Sequence, residues 1–437
     1  MQSLPRSGRL PGDMLNAFIN HKTHSRKLQF CPEKCKKLHI GKTKEKFKCQ
    51  DLYVGGWKMK NIKNVDTGSQ ERIETFEESE QIESVEQEKY LGDIISIDGK
   101  YTKTIQNRIN KGEGAITNIL QILQNIYLGK YHFVAAAALR NSLLISSMLF
   151  NCETWYNVPN VEIERLERID EQCIRRIMKA PHGTPKVLLY LEMGLTPIRF
   201  IIQKRRLMFL QYILQENKDS LINKFLKIQI KTPTKQDWGS LVVKDIEDLD
   251  INLTLDEIEN LSKRAFKKIV NDQLKMHAFI QLQNKKKSKS KDVIHENLDM
   301  EEYLAPNDND ESVHAKQFAF KCRARMLNLK YNMKNKGKDI ACSACGEEEE
   351  TLLHILQCQE NINEPNKVEK TDMQKIYSTD REEMFKTTKN IDAKMKYFLR
   401  KYKSKLPLKN KKNNSNQKLK AKTRRLKKNK IYRKQNK

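Results

Sequence analysis

The chain has 437 residues, with 83 Lys and Arg against 55 Asp and Glu, so its formal charge is +28. A charge of that size favours a polyanionic partner through long-range attraction and counterion release, which makes nucleic acid the first candidate. A membrane-spanning role is excluded from the sequence, because a spanning helix needs about 20 apolar residues and the most apolar run, 133–150, is interrupted by Arg140 and Asn141.

Apolar residues make up 38% and charged residues 32%, which suits helix-rich folded parts separated by solvated stretches. The length has room for about three folded units. The opening MQSLPRSGRLPGDM holds no apolar run of signal-peptide length, so a secreted protein is not expected and the compartment is nuclear or cytoplasmic. In such a setting nine cysteines, an odd number, point to metal ligands and core thiols rather than to a disulfide framework.

In chain order, the segment 28–41 alternates loosely around Pro32 and predicts strand, turn and strand. The stretch 66–88 has nine acids and one base, Arg72, and leads into YLGDIISIDGK, a strand closed by the turn signal Asp98-Gly99. From Ile105 the residues Ile109, Ile116, Leu120 and Leu123 recur at helical spacing, flanked by Arg108 and Lys111. A buried helix follows over 133–150, and a third carries Leu166, Ile169, Cys173 and Ile177 inward with Arg165, Arg168, Arg175 and Arg176 on the other side. The three predict a helical bundle with a basic face. A further helix follows Pro197. Turn residues at 216–240 then mark a boundary, and the composition of 284–291 and 302–311 favours a solvated linker. Residues 400–437 hold 18 Lys or Arg and no acid, and are expected to stay unfolded away from a polyanion. Within them KTRRLKKNK suits a nuclear address or a polybasic arm equally. The fold class is mainly α with a small β element.

The pattern C-x2-C-x8-H-x3-C places Cys342 and Cys345 in a tight turn and His354 and Cys358 one helical turn apart. Three thiols and an imidazole fill the four positions of tetrahedral zinc and leave none for a catalytic water, so the expected ion is structural Zn2+. The alternative is a set of core cysteines beside a surface histidine. Cys31, Cys35 and His39 follow i, i+4, i+8 spacing, which suggests a second metal site, but Pro32 argues against a helix there. Upstream of the knuckle, Ala315, Phe318, Cys322, Met326 and Leu329 share a helical face, while Lys316, Arg323 and Lys330, with Lys321 and Arg325, form a basic row. The row is either a phosphate grip or an ordinary solvated face. Phosphate-binding loops, nucleophile elbows and metalloprotease motifs do not occur in the sequence.

Four stretches taken in order, LNAFINHKTHSRKLQFCPEKCKKLHIG, KYLGDIISIDGK with QNRINKGEGAI, LFNCETW and ETLLHILQC, resemble the C-terminal half of the reverse transcriptase of non-LTR (LINE-type) retrotransposons. LFNCETW resembles the family's Leu-Tyr-Gly-x-Glu-Thr-Trp signature, with Phe150 and Asn151 in place of its Tyr and Gly. The resemblance implies a palm remnant with a motif D-like segment over 1–41, a primer-grip-like β segment over 42–100 and a thumb-like helical bundle over 101–215. It further implies a helical connector and linker over 216–310, a basic helix with the zinc knuckle over 311–365, and a helix with the basic tail over 366–437. Lys34 would match the motif D lysine, and Tyr90, Leu91 and Gly92 the loop that steadies a primer end.

Polymerase chemistry needs paired carboxylates that hold two Mg2+ ions, and this chain has no Asp-Asp pair. The resemblance therefore implies a truncated fragment that binds RNA, DNA or their hybrid and is inactive alone. Mg2+ enters only if a palm is supplied, and a palm or an endonuclease acting in trans is an implied partner. The other readings are a host interaction module built from the same segment and the C-terminal part of an active RNA-directed DNA polymerase whose palm lies elsewhere.

Overall fold

In the computed structural model, residues 36–38, 53–63, 70–81, 83–90, 92–216, 218–234, 237–286, 293–306, 311–327, 329–332, 339–359, 372–378 and 380–403 are described. They are mainly helical, with small two-stranded sheets, as expected of the class. Strand β1 (Lys36–Lys37) pairs in parallel with β4 (Glu83–Ser84), and β2 (Tyr53–Lys63) pairs antiparallel with β3 (Gln70–Gln81), with a register shift between Val54 and Gly55. A third pair, β5 (Gln87–Tyr90) with β6 (Asp93–Ser96), precedes the helices. Within the acidic stretch, Gln70–Gln81 is thus itself a strand; Ile73, Thr75 and Phe76 supply the β preference that its charge count obscures. Of the motif D-like segment only 36–38 are described, and Lys34, Cys31, Cys35, His39 and the tail beyond 403 lie outside the described residues.

The helices are α1 (Thr102–Asn125), α2 (His132–Leu139), α3 (Asn160–Ile177), α4 (Lys186–Glu192), α5 (Ile198–Gln215), α6 (Leu221–Lys231) and α7 (Trp238–Asp248). They continue with α8 (Leu255–Asn260), α9 (Lys263–Asn284), α10 (Val313–Arg323), α11 (Leu352–Gln357), α12 (Asp372–Lys375) and α13 (Arg381–Phe398). Most starts carry a side-chain cap. Asp237 accepts the Ser240 N–H, Ser312 that of Ala315, and Thr254 forms a capping box with Glu257. No helix among the described residues is long and apolar enough to cross a membrane.

The chain divides into two compact units, one drawn from Met1–Asn118, Arg140–Asp170 and Pro197–Leu274, the other from Ile119–Leu139, Glu171–Thr196 and Lys275–Lys437. Residues of 101–215 are found in both units. Helix α1 has 24 residues, about 36 Å of length.

In the first unit, Ile105, Ile109, Ile116, Leu144, Met148, Trp155, Leu166 and Ile169 are buried. Gly112 sits where α1 crosses its neighbours: a Cβ there would lie 3.1 Å from Ile169, 3.3 Å from Met148 and 3.4 Å from Leu144. The helical run after α2 widens to a π-helix over Arg140–Ile145. Arg140 is 1% exposed and Asp170 0%, and they form a two-pronged pair with Nε–Oδ1 and Nη2–Oδ2 both 2.6 Å. That pair explains how an arginine sits inside an apolar run. The break expected over 216–240 is instead a connection within this unit. The Trp238 indole donates to the Glu153 carbonyl (2.7 Å), and Arg206 pairs with Asp245 (2.7 Å).

In the second unit, the stretch expected as linker is packed where it is described: Val293, Leu298, Tyr303 and Leu304 are buried, and Met300 bridges to Met193. Gly194 (φ +60) is required at this approach, since a Cβ would lie 2.2 Å from the Met300 nitrogen. Glu192 faces Arg323 (3.0 Å) and His295 (3.5 Å), and Arg323 also reaches Glu301 (3.0 Å). Burial alone would raise the Glu192 carboxyl, but Arg323 and His295 outweigh it and hold it at about 2.

Asp170→Asn should leave the Arg140 guanidinium enclosed beside a neutral amide and cost about 3–5 kcal/mol, read as a lower urea midpoint. Replacing both partners, Arg140→Met with Asp170→Leu, should cost much less. Equal losses in the two variants would contradict the pairing account.

Candidate metal centre and basic residues

The metal-binding segment is built from a turn and one short helix. The Cys342 N–H donates to the Glu348 carbonyl (2.6 Å), the Gly346 N–H donates to the Cys342 carbonyl (2.9 Å), and Ala341 bridges to Glu349. Gly346 takes a positive φ of 76° inside that turn. Thr351 then caps α11 by accepting the His354 N–H (3.1 Å), and Cys358 ends the helix by donating to the His354 carbonyl (2.6 Å). Turn and helix therefore face each other across one point.

At that point the four ligand atoms of Cys342, Cys345, His354 and Cys358 lie within 4.8 Å of one another, and Cys345 Sγ is 3.3 Å from His354 Nε2. Bonds of about 2.0–2.3 Å to a tetrahedral ion separate ligand atoms by roughly 3.4–3.8 Å, so the set is collected to within about an ångström of that spacing. The group can hold a metal ion. His354 Nδ1 lies 2.9 Å from Glu348 Oε2, which fixes the ring with Nε2 turned to the cysteines. Sequence reasoning missed Glu348 because it stands in the run EEEE and reads there as a solvated charge. Its signal was position, six residues before the histidine.

The Cys345 thiol is drawn down to about 6, first by the backbone N–H groups of Glu348 and Glu347 and also by His354, while burial pushes Cys342 up. The segment rests on a core of Cys322, Leu327, Leu329, Leu352, Ile355, Leu356, Ile376, Ile391, Met395 and Phe398. Lys394 reinforces it by donating to the Leu356 carbonyl (2.9 Å). Glu350 is buried and accepts from the Lys330 N–H (2.9 Å) and the Ser343 hydroxyl (2.5 Å).

The basic row expected on α10 is not a surface row. Lys316 is 1% exposed and donates to the carbonyls of Leu304 and Ala305, and Arg323 is 3% exposed within its carboxylate pairs. Lys330 donates to the Ala341 carbonyl (2.7 Å), Lys321 is half-buried, and Arg325 is exposed with Nε near the Tyr377 hydroxyl (3.1 Å). Lys316, Arg323 and Lys330 are satisfied by carbonyls and carboxylates outside α10, so helical spacing alone cannot reveal their partners.

Among the earlier candidates, Arg108 is 2% exposed, paired with Asp93 (2.5 Å) and lying 4.8 Å over the Phe150 ring. Arg165 pairs with Glu162 (2.7 Å) and Gln106, and Arg175 donates to Glu171 (2.6 Å) and to the carbonyls of Pro181 and Thr184. Lys111, Arg168 and Arg176 remain on the surface. In the primer-grip-like hairpin Tyr90 is exposed and Gly92 has φ +94, while Leu91 lies outside the described residues.

No family model matches the chain, and no curated protein or solved structure is matched either.

In metal-free protein, iodoacetamide should label Cys345 ahead of Cys342 and Cys358, at a rate that tracks its thiolate. The rate should be near maximal at pH 7 and fall as the pH drops through about 6. Mass spectrometry of timed samples measures it. A midpoint near the ordinary thiol value of about 8.5 would contradict the assignment.

Proposed function

We propose that this chain holds nucleic acid and corresponds to the thumb and C-terminal zinc segment of a non-LTR retrotransposon reverse transcriptase, with structural zinc on Cys342, Cys345, His354 and Cys358. The observation that carries the reading is at residue 151. Where the family signature has Gly, Asn151 takes φ 61° and ψ 19°, the left-handed conformation that glycine adopts freely and that asparagine tolerates better than most side chains. Phe150, in place of the signature's Tyr, keeps an aromatic ring under the Arg108 guanidinium. Asn151 Nδ2 donates to Asp93 Oδ2 (2.6 Å), and Asp93 is the partner of Arg108. Two of the stretches that carry the resemblance therefore meet at Asp93.

In this reading the chain's own residues bind and position a strand or hybrid, and the zinc supplies a rigid node rather than chemistry. Catalysis would need Mg2+ and a carboxylate pair contributed by another segment or chain.

The purified chain should bind RNA–DNA hybrid with an affinity that drops at least about a hundredfold between about 50 and about 200 mM salt, the slope of some four neutralised phosphates. It should hold one zinc, lost in Cys345→Ala. It should give no product in primer extension with magnesium. Salt-independent affinity would overturn the phosphate-binding account, and a full zinc complement in Cys345→Ala would overturn the ligand set.

One feature favours a second reading, a protein-interaction module. Leu221, Ile222, Phe225 and Ile228 on α6 are all exposed, an apolar stripe turned to solvent. A protein partner captured on that stripe and retained at high salt would support it.

A further inference from the structure

The second unit exposes a short run of large side chains that no part of the proposed function uses. Between α1 and α2, Tyr127 is 92% exposed and Tyr131 55%, with Ile126 and Val134 also turned to solvent. Single exposed apolar residues are ordinary, but four within nine positions, two of them aromatic, form a patch. Gly129 shapes it. Its φ of +47° turns the chain, and the Tyr127 ring lies 3.6 Å from where a Cβ on Gly129 would be, so the ring is laid along glycine backbone. The short turn Gly129–Tyr131 follows, with the Tyr131 N–H donating to the Leu128 carbonyl (3.0 Å), and Lys130 Nζ stands 5.8 Å from the centre of the Tyr131 ring.

The charge around this turn is positive. The next residue, His132, is depressed first by burial and then by Lys179 and Lys316, and the charge of Lys179 also depresses Lys321. Lys179 and, at the end of α3, Arg176 are exposed. Flat rings presented to water beside lysine suit a ligand with π-faces and a polyanionic backbone. A duplex keeps its base faces stacked internally, whereas an unpaired strand offers them.

We propose that the turn carrying Tyr127, Lys130 and Tyr131 is a stacking platform for unpaired nucleotides of single-stranded RNA or DNA. This deepens the nucleic-acid reading and rests on it. Tyr127 and Tyr131 take the bases, and Lys130 with Lys179 neutralises the phosphates between them. Because stacking reads no base edges, the platform is tolerant of sequence.

The test uses the full chain and fluorescein-labelled oligouridine and oligothymidine of about 20 nucleotides, long enough for such a site, with an RNA–DNA hybrid as comparison, read by anisotropy. Tyr127→Ala with Tyr131→Ala should weaken single-strand binding by about tenfold per ring. Hybrid binding should stay within about twofold, because phosphate contacts elsewhere are untouched. Tyr127→Phe with Tyr131→Phe should keep single-strand affinity, since the rings remain. Both sites are exposed, and unchanged thermal unfolding confirms that the variants fold.

Wild-type affinity in the alanine variant, or equal losses for strand and hybrid, would overturn the platform while leaving the nucleic-acid reading intact. A phenylalanine variant as weak as the alanine one would also overturn it, because the hydroxyls rather than the rings would then be at work. A wild-type chain that binds no nucleic acid but adheres to anionic vesicles would overturn both. Comparison of oligouridine with oligothymidine tells which strand the platform prefers.

Discussion

An enclosed charge has to be matched, and that constraint runs through both units of this protein. Arg140 is surrounded by an apolar helical run and would be untenable there without Asp170, which meets it on both prongs of its guanidinium. The same solution recurs with Arg323 between Glu192 and Glu301, with Arg108 against Asp93 and with Arg206 against Asp245. Lys316 meets the requirement differently, through the carbonyls of Leu304 and Ala305. A chain with so large a cationic excess thus uses part of that excess internally, to tie together segments that periodicity alone would leave independent. The charge available to a partner is correspondingly smaller than the sum of its lysines and arginines.

Helices α1 and α3 were legible because their apolar residues recur with helical spacing, and the metal set was legible because ligand spacing in a turn and a helix is local. Cys342 to Cys358 is a self-contained pattern, and the structure collects those four side chains as their spacing implies. What escaped was non-local. The partners of Arg323 include a carboxylate 131 residues earlier in the chain, and nothing at position 323 announces it. Lys316 and Arg323 therefore looked like the polar side of α10, when the side they occupy is buried. The stretch after 293 was obscured by its acids and its proline, although Val293, Leu298, Tyr303 and Leu304 are enough to seat it. The strand at Gln70–Gln81 was masked in the same way by its glutamates.

The residues that support the family resemblance share a property that motif matching does not capture. Arg108, Phe150, Asn151 and Asp93 contribute one charge pair, one ring under a cation, one left-handed turn and one amide hydrogen bond, all at a single junction. Phe150 gives the junction an aromatic face, and Asn151 gives it a tolerated positive φ.

The core beneath the metal ligands has a consequence for the order in which this region can form. The ligands end at Cys358, but the residues that support them include Ile391, Met395 and Phe398 on α13. A chain still being synthesised, with its ligands just clear of the ribosome, would own all four donors yet lack the floor they rest on. Metal capture by such a chain draws on the ligands alone, and the supported form arises only after about forty further residues have emerged, 358 to 398. Completion of the site is in that sense a report that synthesis has passed Phe398.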